Sequence, residues 1–268
     1  MSHKSGAEES LVRQHLSVYE ELQYTYLRDG GDSYGVCQLT SRLAPEYGIT
    51  YVQPAFPICK QGHYGQFLCQ TFADFSEYLE RLKEVRQQKG DFVKIMISGL
   101  MDFQTYGKVS EPPLEDGEIR DMISAAHDMG FAVMAHCNGS ACATAISAGV
   151  DSLEHGGYMD EETIYQLAES NTVWVPTLSP VANLIGKSLF PDETLQKIGE
   201  MQRDSLRLAH RLGASIALGS DAAAGFVPHG IGGLGELTHL KKALGQDAMA
   251  IVSAGNEKIQ KKFKPSKG

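Results

Sequence analysis

The stretch FAVMAHCNGSACATAISAGVDSLEHG, residues 131–156, contains two strand-like segments, one helix-like segment and two histidines. Its apolar runs Ala132–Ala135 and Val150–Leu153 lack polar alternation, as is typical of strands in a parallel sheet covered on both faces. Ser140–Ala148 between them is helix-like and ends at Gly149, a residue type that terminates helices. The stretch is therefore predicted to form one strand–helix–strand unit.

The same alternation extends in both directions along the chain. The further strand-like runs are Tyr24–Leu27, Ile49–Val52, Phe92–Ile97, Val173–Val175 and Ser215–Leu218. The further helix-like segments are Glu9–Gln23, Tyr34–Leu43, Phe72–Gln88, Glu115–Met129, Glu161–Glu169 and Leu195–Leu212. Strict alternation of strands and helices predicts either a doubly wound sheet or a (β/α) barrel.

Polar residues on the predicted strands favour the barrel. His136, His155 and Asp221 each stand where an apolar run gives way to a loop rich in Gly, Ser or Asn, and Lys94 lies inside a strand-like run. Active-site groups of a (β/α)8 barrel gather at the C-terminal ends of several strands. Since His136 and His155 are 19 residues apart, consecutive parallel strands bring both imidazoles to the same end. We therefore predict a TIM-type (β/α)8 barrel.

Length, composition and charge agree with one globular domain over residues 1–268, with flexible ends at 1–8 and 256–268. The chain is 42% hydrophobic and 21% charged, and a single barrel commonly takes about 250 residues. A net charge of −9 argues against nucleic-acid binding, which requires clustered cations. No apolar run approaches the roughly 18 residues of a membrane span, and no secretory signal is recognisable. Five cysteines without C-x-x-C spacing indicate reduced thiols. These features predict a cytoplasmic protein.

Each of the four polar residues also has an ordinary structural interpretation. His136 and His155 are each compatible with a hydrogen-bonded rim histidine, and Asp221 with a turn or a helix cap. Lys94 is costly to bury unless it is paired, neutral or modified, so the alternative is an ion pair at the barrel mouth. Chance explains the four residues at successive strand ends much less easily, and together they predict a functional site.

The sequence resembles the amidohydrolase superfamily, specifically its imidazolonepropionase-like and zinc carboxypeptidase-like branch. The resemblance covers roughly Thr25–Leu244 and is carried by TYLRDGG, FVKIMISG, the stretch 131–156, VWVPTLSP and LRLAHRLGASIALGSDAAAG. It implies a metal site in which His136, His155, Asp221 and a carbamylated Lys94 are ligands. It also implies that Asp221 carries the proton of the attacking water. Two neutral imidazoles and one anionic oxygen leave an open position for water, as in catalytic zinc sites.

One feature of the family is missing. Its first strand ends in an H-x-H pair, whereas this sequence contains no H-x-H and TYLRDGG matches the second strand. The chain is therefore expected to form about seven of eight βα units, with a barrel that is open or irregular between the second and eighth strands. The helix Glu9–Gln23 is expected to cover part of that seam. The remaining ligands suit one zinc ion better than two, and open sheet edges favour a homo-oligomer.

The resemblance implies that metal-activated water hydrolyses a carbon–nitrogen bond in a small molecule. The class includes cyclic amides, N-acyl amino acids and dipeptide-like substrates. His63 in QGHYG and His229 in VPHGIGG are candidate substrate-binding residues on rim loops, and each is also interpretable as a solvated loop histidine.

A serine hydrolase is the first alternative. Gly31–Gly35 has the G-x-S-x-G pattern of a nucleophile elbow around Ser33, with Asp221 and His229 or His239 as later partners. Only 32 residues precede Ser33, which is too few for the strands that normally come before such an elbow.

Three further patterns leave other interpretations open. Lys94 is a possible Schiff-base lysine of an aldolase-type barrel. The missing H-x-H also allows a catalytically impaired barrel that serves as a scaffold. Gly230–Gly235 fits G-x-G-x-x-G but lies about ten residues after its strand, so it is expected to be a loop that leads into a helix.

Overall fold

The computed structural model describes residues 6–266, in which parallel strands alternate with α-helices. The strands are β1 (Tyr26–Arg28), β2 (Thr50–Val52), β3 (Pro57–Lys60), β4 (Gln70–Phe72), β5 (Val93–Met96), β6 (Val133–Cys137), β7 (Ser152–His155), β8 (Val173–Val175) and β9 (Ser215–Ile216). The helices are α1 (Glu9–Glu21), α2 (Val36–Leu43), α3 (Phe75–Gln87), α4 (Asp116–Asp128), α5 (Ala141–Ser147), α6 (Glu161–Glu169), α7 (Ser179–Leu184), α8 (Asp192–Arg211), α9 (Ile231–Leu244) and α10 (Ala248–Lys262). The predicted alternation is confirmed.

Two strands were not expected from the sequence. The predicted run Ile49–Val52 corresponds to β2, and the chain continues beyond it as β3, which pairs with β5. Strand β4 adds an edge strand beside β3. Pro54 and Pro57 flank this continuation and Ala55 has a positive φ of 66°, so the strand bends there. Proline cannot donate a ladder hydrogen bond, which explains why the apolar pattern ends at Val52.

The strands form two sheets that together make the barrel wall. One sheet has the order β4-β3-β5-β6-β7-β8-β9, and the other contains β1 and β2. The N–H of Asp91, just before β5, donates to Gln53 O at 2.7 Å, which joins the end of β2 to the start of β5. The fold is thus an α/β barrel with outer helices, as predicted.

Alternation along the strands separates the core from the barrel interior. Ile95, Val133 and Leu153 point outward into the main apolar core, between the sheet and the helices. Their neighbours Lys94 and Met134 point inward. A second apolar cluster fills the lower part of the interior: Val52, Phe92, Met134, Val173, Val175, Ala217, Ile259 and Phe263.

The barrel wall is open between β9 and β1, as the sequence predicted, because no ladder joins these strands among residues 6–266. Helix α10 covers the edge of β9 instead. Asn256 Oδ1 accepts the N–H of Leu218 at 2.9 Å, and Lys258 Nζ donates to Ser215 Oγ at 2.6 Å. Gly255 brings the two backbones so close that a Cβ would lie 1.9 Å from Ile216 O. The edge that favoured association in the sequence analysis is therefore capped within the chain.

Helix α1 has the smaller part in closing the seam. Its buried Leu16 packs in a cluster with Leu43 and Ile49, on the side of β1 and β2. On its other side, Val18 lies against Gly230, in the loop that follows β9. The helix thus reaches from one side of the opening to the other, which agrees in part with the expected cover.

The expectation of a flexible C-terminal end at 256–268 is wrong for most of that range. Helix α10 continues to Lys262, and Phe263 is fully buried with its ring edge-on to Phe92 at 5.1 Å. Tyr26 Oη donates to Phe263 O at 2.7 Å. The many lysines of this segment suggested a solvated tail, but Ile259 and Phe263 form an apolar face that the barrel interior buries. Residues 1–5 and 267–268 lie outside the described residues.

None of the helices within residues 6–266 combines the length and the apolar character that a bilayer crossing requires.

All five cysteines are free and buried, in agreement with reduced thiols.

Candidate active site

Lys94, His136 and His155 stand on three neighbouring strands and meet at the C-terminal end of the barrel. The ring centroids of His136 and His155 are 4.6 Å apart, at an interplanar angle of 65°. The positive charge of Lys94 lowers the pKa of both histidines, and it also lowers the pKa of Asp221. The structure thus brings Lys94, His136 and His155 together, and Asp221 lies within electrostatic range of Lys94.

The hydrogen bonds of His155 define its tautomer. Its Nδ1 lies 2.6 Å from Thr177 Oγ1, and the Thr177 hydroxyl donates to Pro176 O at 2.8 Å. A hydroxyl has one proton, so when Thr177 donates it to Pro176 O, Thr177 Oγ1 accepts from His155, and we assign the hydrogen to Nδ1 on this basis. The lone pair of His155 is therefore on Nε2.

A similar argument defines the tautomer of His136. Its Nε2 lies 3.3 Å from Gly99 O, a carbonyl oxygen that only accepts, so Nε2 carries the hydrogen and Nδ1 the lone pair. Asn138 Nδ2 donates to the same carbonyl at 3.0 Å, and Asn138 Oδ1 accepts the N–H of Gly157 at 2.9 Å. Asn138 thereby joins the ends of three strands around the imidazole pair.

Three successive strand ends carry a non-glycine residue in the left-handed conformation. The φ angles are 68° at His155, 49° at Thr177 and 53° at Asp221. Such a φ is costly for a β-branched residue such as threonine, and strained backbone of this kind clusters at functional sites. At His155 the kink has a further effect. Alternation from Leu153 would direct its side chain outward, yet its ring lies beside the inward-pointing His136.

The barrel interior disfavours the protonated forms of the three basic groups. Burial lowers the pKa of Lys94, and the nearby Arg28 lowers it further, against the opposing charges of Glu154 and Asp221. Desolvation, together with Lys94, lowers the pKa of His136 to about 3 and holds the pKa of His155 well below 6.5. Both imidazoles are therefore neutral at pH 7, the form in which histidine binds metals.

Asp221 is exposed to solvent, yet many protein atoms surround its carboxylate. Limited hydration there raises its pKa to about 6, although the charge of Lys94 acts in the opposite direction. A carboxylate with this pKa is mostly ionised at pH 7 and exchanges protons readily.

A buried ion pair lies beneath the site. Arg28 Nη2 is 2.9 Å from Glu154 Oε1, with side-chain exposures of 8% and 4%. Arg28 Nη1 also donates to Ser152 Oγ at 2.5 Å, and the guanidinium lies 4.5 Å from the centroid of the Phe263 ring. Glu154 immediately precedes His155, so the pair supports the strand that carries this histidine.

Two imidazoles with defined tautomers fit the requirements of a metal ion. Metal-bound histidines donate their other ring N–H to a carbonyl or a similar acceptor, as His136 and His155 do here. Within residues 6–266, however, no three side chains of His, Cys, Asp or Glu lie close enough together to hold a metal ion. A third ligand beside this pair therefore has to come from Lys94, which supplies an oxygen donor only as a carbamate.

The predicted rim histidines have different surroundings. His229 stacks on His15 of α1 at 3.9 Å, and its Nδ1 lies 3.2 Å from Tyr19 Oη. This places its ring against α1, where it packs the helix onto the loop after β9. His63 is half-buried on the loop after β3, and its neighbour Tyr64 stacks on His136 at 4.9 Å. The loop predicted to supply a substrate contact thus reaches the site through the adjacent residue.

The two glycine-rich patterns have structural roles. Asp32, within G-x-S-x-G, accepts the N–H groups of Val36 and Cys37 at the start of α2, while Ser33 is exposed. Helix α9 begins at Ile231, inside G-x-G-x-x-G, so this pattern leads into a helix as expected.

Sequence reasoning did not identify Thr177, Asn138 or Tyr64. Thr177 follows the predicted strand Val173–Val175 by two residues. The other site residues also lie at or just after strand ends, so a search for polar residues at these positions would have found Thr177. Asn138 follows His136 by two residues, again at a strand end. Nothing in the local sequence signals that Tyr64 stacks on His136.

A profile of the amidohydrolase family matches residues 44–256 of the chain. Ochratoxinase from Aspergillus niger is 27% identical over 194 residues, which are 67% of this chain and 37% of that protein. The chain thus spans less than half the length of this curated relative.

Solved structures show the same fold. A Xaa-Pro dipeptidase with methionine bound in its active site has a TM-score of 0.78 and 24% identity, over 97% of this chain and 71% of that one. A prolidase in complex with N-methylphosphonate-L-proline has a TM-score of 0.70 and 21% identity, over 95% of this chain and 68% of that one.

Proposed function

Because the chain belongs to the amidohydrolase family, we propose that it hydrolyses a carbon–nitrogen bond with the help of a divalent ion, zinc. His136 Nδ1, His155 Nε2 and a carbamylated Lys94 would hold the ion. The observation that carries this proposal is the pair of imidazoles, each with one N–H bound to a protein acceptor and one nitrogen left with a lone pair. When bound, zinc lowers the pKa of water and polarises the substrate carbonyl.

Lys94 is suited to carbamate formation because burial favours its neutral amine. The lone pair of Nζ attacks the carbon of CO2, a nitrogen–carbon bond forms, and one proton leaves to solvent. The product is an anion, which removes the cost of a buried ammonium and supplies an oxygen ligand. One zinc ion suits this donor set better than two, because it contains only two imidazoles.

Asp221 is proposed as the proton carrier. As a carboxylate it takes a proton from the attacking water, and it then donates that proton to the departing nitrogen. Its accessibility in the mouth allows contact with water and substrate.

The proposed substrates are small amides with a dipeptide-like, N-acyl or cyclic carbon–nitrogen bond. The dipeptidase and the prolidase among the structural neighbours support the dipeptide-like class.

The test combines zinc content with hydrolysis of a panel of Xaa-Pro dipeptides, N-acetyl amino acids and cyclic imides. Wild-type protein loaded with zinc and bicarbonate is expected to bind about one ion and to release amine from one class of the panel. His136→Ala, His155→Ala and Lys94→Ala are expected to lose most of the zinc and the turnover. His210→Ala, on the outer helix α8, is the matched control and should match wild type.

Turnover that survives complete chelation would contradict the proposal, as would normal zinc content in Lys94→Ala. Wild-type protein that binds no zinc and cleaves nothing would instead support a scaffold.

A further inference from the structure

The loop 61–69 holds a tyrosine over the imidazole pair. Gly65 has a φ of 105°, and a Cβ there would lie 2.9 Å from both Cys69 Sγ and Met96 Cγ. The loop backbone is thus pressed onto the cluster of Cys59, Cys69 and Met96. A loop held in this way presents Tyr64 in a fixed position.

Packing on two sides orients the ring of Tyr64. One face stacks on His136 at 4.9 Å with an interplanar angle of 30°, and Phe67 meets it edge-on at 5.8 Å. Tyr34 Oη donates to Phe67 O at 3.4 Å, which joins this loop to the start of α2. The ring is therefore oriented without a hydrogen bond from its own hydroxyl.

The hydroxyl of Tyr64 has no hydrogen-bond partner among residues 6–266. Desolvation and, to a smaller extent, the charge of Asp221 raise its pKa to about 12, and the effect of Asp221 shows that the phenol lies near the proposed proton carrier. At neutral pH the group is an O–H donor at the mouth. The neighbouring donors are already engaged: Thr177 with Pro176 O, Asn138 with Gly99 O and Ser98 with Gly99 O.

We propose that Tyr64 is a catalytic residue whose hydroxyl donates a hydrogen bond to the carbonyl oxygen of the scissile bond. This proposal rests on the proposed function. As the water oxygen bonds to the carbonyl carbon, the π electron pair moves onto the carbonyl oxygen, and Tyr64 stabilises that negative charge while keeping its proton. The pair then returns, the carbon–nitrogen bond breaks, and the nitrogen receives the proton held by Asp221. A preorganised donor of this kind is most effective when its position is fixed before the reaction.

The test compares zinc-loaded wild type with Tyr64→Phe, which keeps the stacked ring and removes only the hydroxyl. With the panel substrate that wild type cleaves fastest, kcat is expected to fall about 10²–10³-fold, the usual effect of removing one oxyanion donor. KM should change less than about threefold, because the hydrogen bond strengthens in the transition state. Zinc content and thermal midpoint should be unchanged. Tyr106→Phe removes a hydroxyl from a different rim loop and should match wild type.

A second measurement uses N-methylphosphonate-L-proline, whose tetrahedral anion resembles the attacked carbonyl. Its Kd, measured by calorimetry, should be weaker for Tyr64→Phe than for wild type and equal for Tyr106→Phe.

A Tyr64→Phe enzyme with wild-type kcat would overturn the role of Tyr64 and leave the proposed function intact. An equal fall in Tyr106→Phe, or lost zinc in Tyr64→Phe, would also overturn it, because the effect would then be structural. If zinc-loaded wild type neither cleaves the panel nor binds the phosphonate, the proposed function and the role of Tyr64 both fail.

Discussion

The guanidinium of Arg28 on β1 lies 2.9 Å from the carboxylate of Glu154 on β7, so an ion pair joins two strands through the barrel interior. The strands belong to different sheets, and no backbone ladder connects them. The pair therefore links the smaller sheet to the strand that carries His155.

Arg28→Met is expected to lower the free energy of unfolding by about 3–5 kcal/mol, because it leaves Glu154 as an uncompensated buried charge. Adding Glu154→Gln should recover part of this loss, which urea denaturation of the single and double variants will measure. Lys197→Met, at the exposed pair with Glu193, is the control and should leave the stability nearly unchanged, because water screens exposed ion pairs. Equal losses in the free energy of unfolding at the two sites would show that the buried pair stabilises the protein no more than an exposed pair does.

Thr177→Val is expected to weaken zinc binding about 10–100-fold, the usual effect of losing the partner of a metal-bound histidine. Valine keeps the shape but removes the oxygen that accepts from His155 Nδ1, so the lone pair is no longer confined to Nε2. Thr177→Ser keeps the hydroxyl and should retain wild-type affinity. Competition with a chromophoric chelator gives the affinities, and an unaffected valine variant would refute the assigned tautomer.

Glu236 predicts a pH dependence of stability. Its carboxylate is fully buried and accepts the N–H groups of Leu178 and Ser179, yet desolvation raises its pKa from 4.5 to about 7. Since the folded pKa lies above the unfolded one, its stabilising contribution is complete below pH 4.5. This contribution, about 3 kcal/mol of the free energy of unfolding, is lost as the pH rises from 4.5 through 7.

Glu236→Gln removes this contribution, so the difference between wild type and variant in urea denaturation should change across pH 4.5–8. A constant difference would show that Glu236 does not titrate in this window.

Gly255→Ala is expected to destabilise the protein by more than about 2 kcal/mol, because the added Cβ overlaps Ile216 O and forces α10 away from β9. Gly199→Ala is the matched control within α8. The nearest atom to its Cβ is the flexible Arg203 Nη1 at 3.3 Å, so alanine should stabilise the helix by up to about 1 kcal/mol. Thermal unfolding will give the sign of each change, and a neutral Gly255→Ala would exclude close packing of α10 on β9.

Local patterns predicted the barrel because strand, helix and loop signals agree over residues 92–218. They also led to Lys94, His136, His155 and Asp221, since polar residues at strand ends stand out against apolar runs. Strand β3 could not be predicted from the pattern, because Pro54 and Pro57 interrupt its apolar residues. Tyr64 reaches His136 through loop geometry that no periodicity encodes.

The C-terminal segment shows a different limit of pattern reading. Its lysines dominate the composition around Lys258–Lys264, although Ile259 and Phe263 decide where it packs. The apolar face becomes recognisable only when the open edge of β9 and the barrel interior are known.

Because α10 follows β1–β9, all the strands found between residues 6 and 266, the edge of β9 stays uncovered on the ribosome until residues 248–262 have been synthesised. An open strand edge is a template for pairing with other chains, so nascent protein is most exposed to aggregation during this interval. Premature termination before Gly255 would therefore yield a product that has all its strands but is drawn into inclusion bodies or held by chaperones.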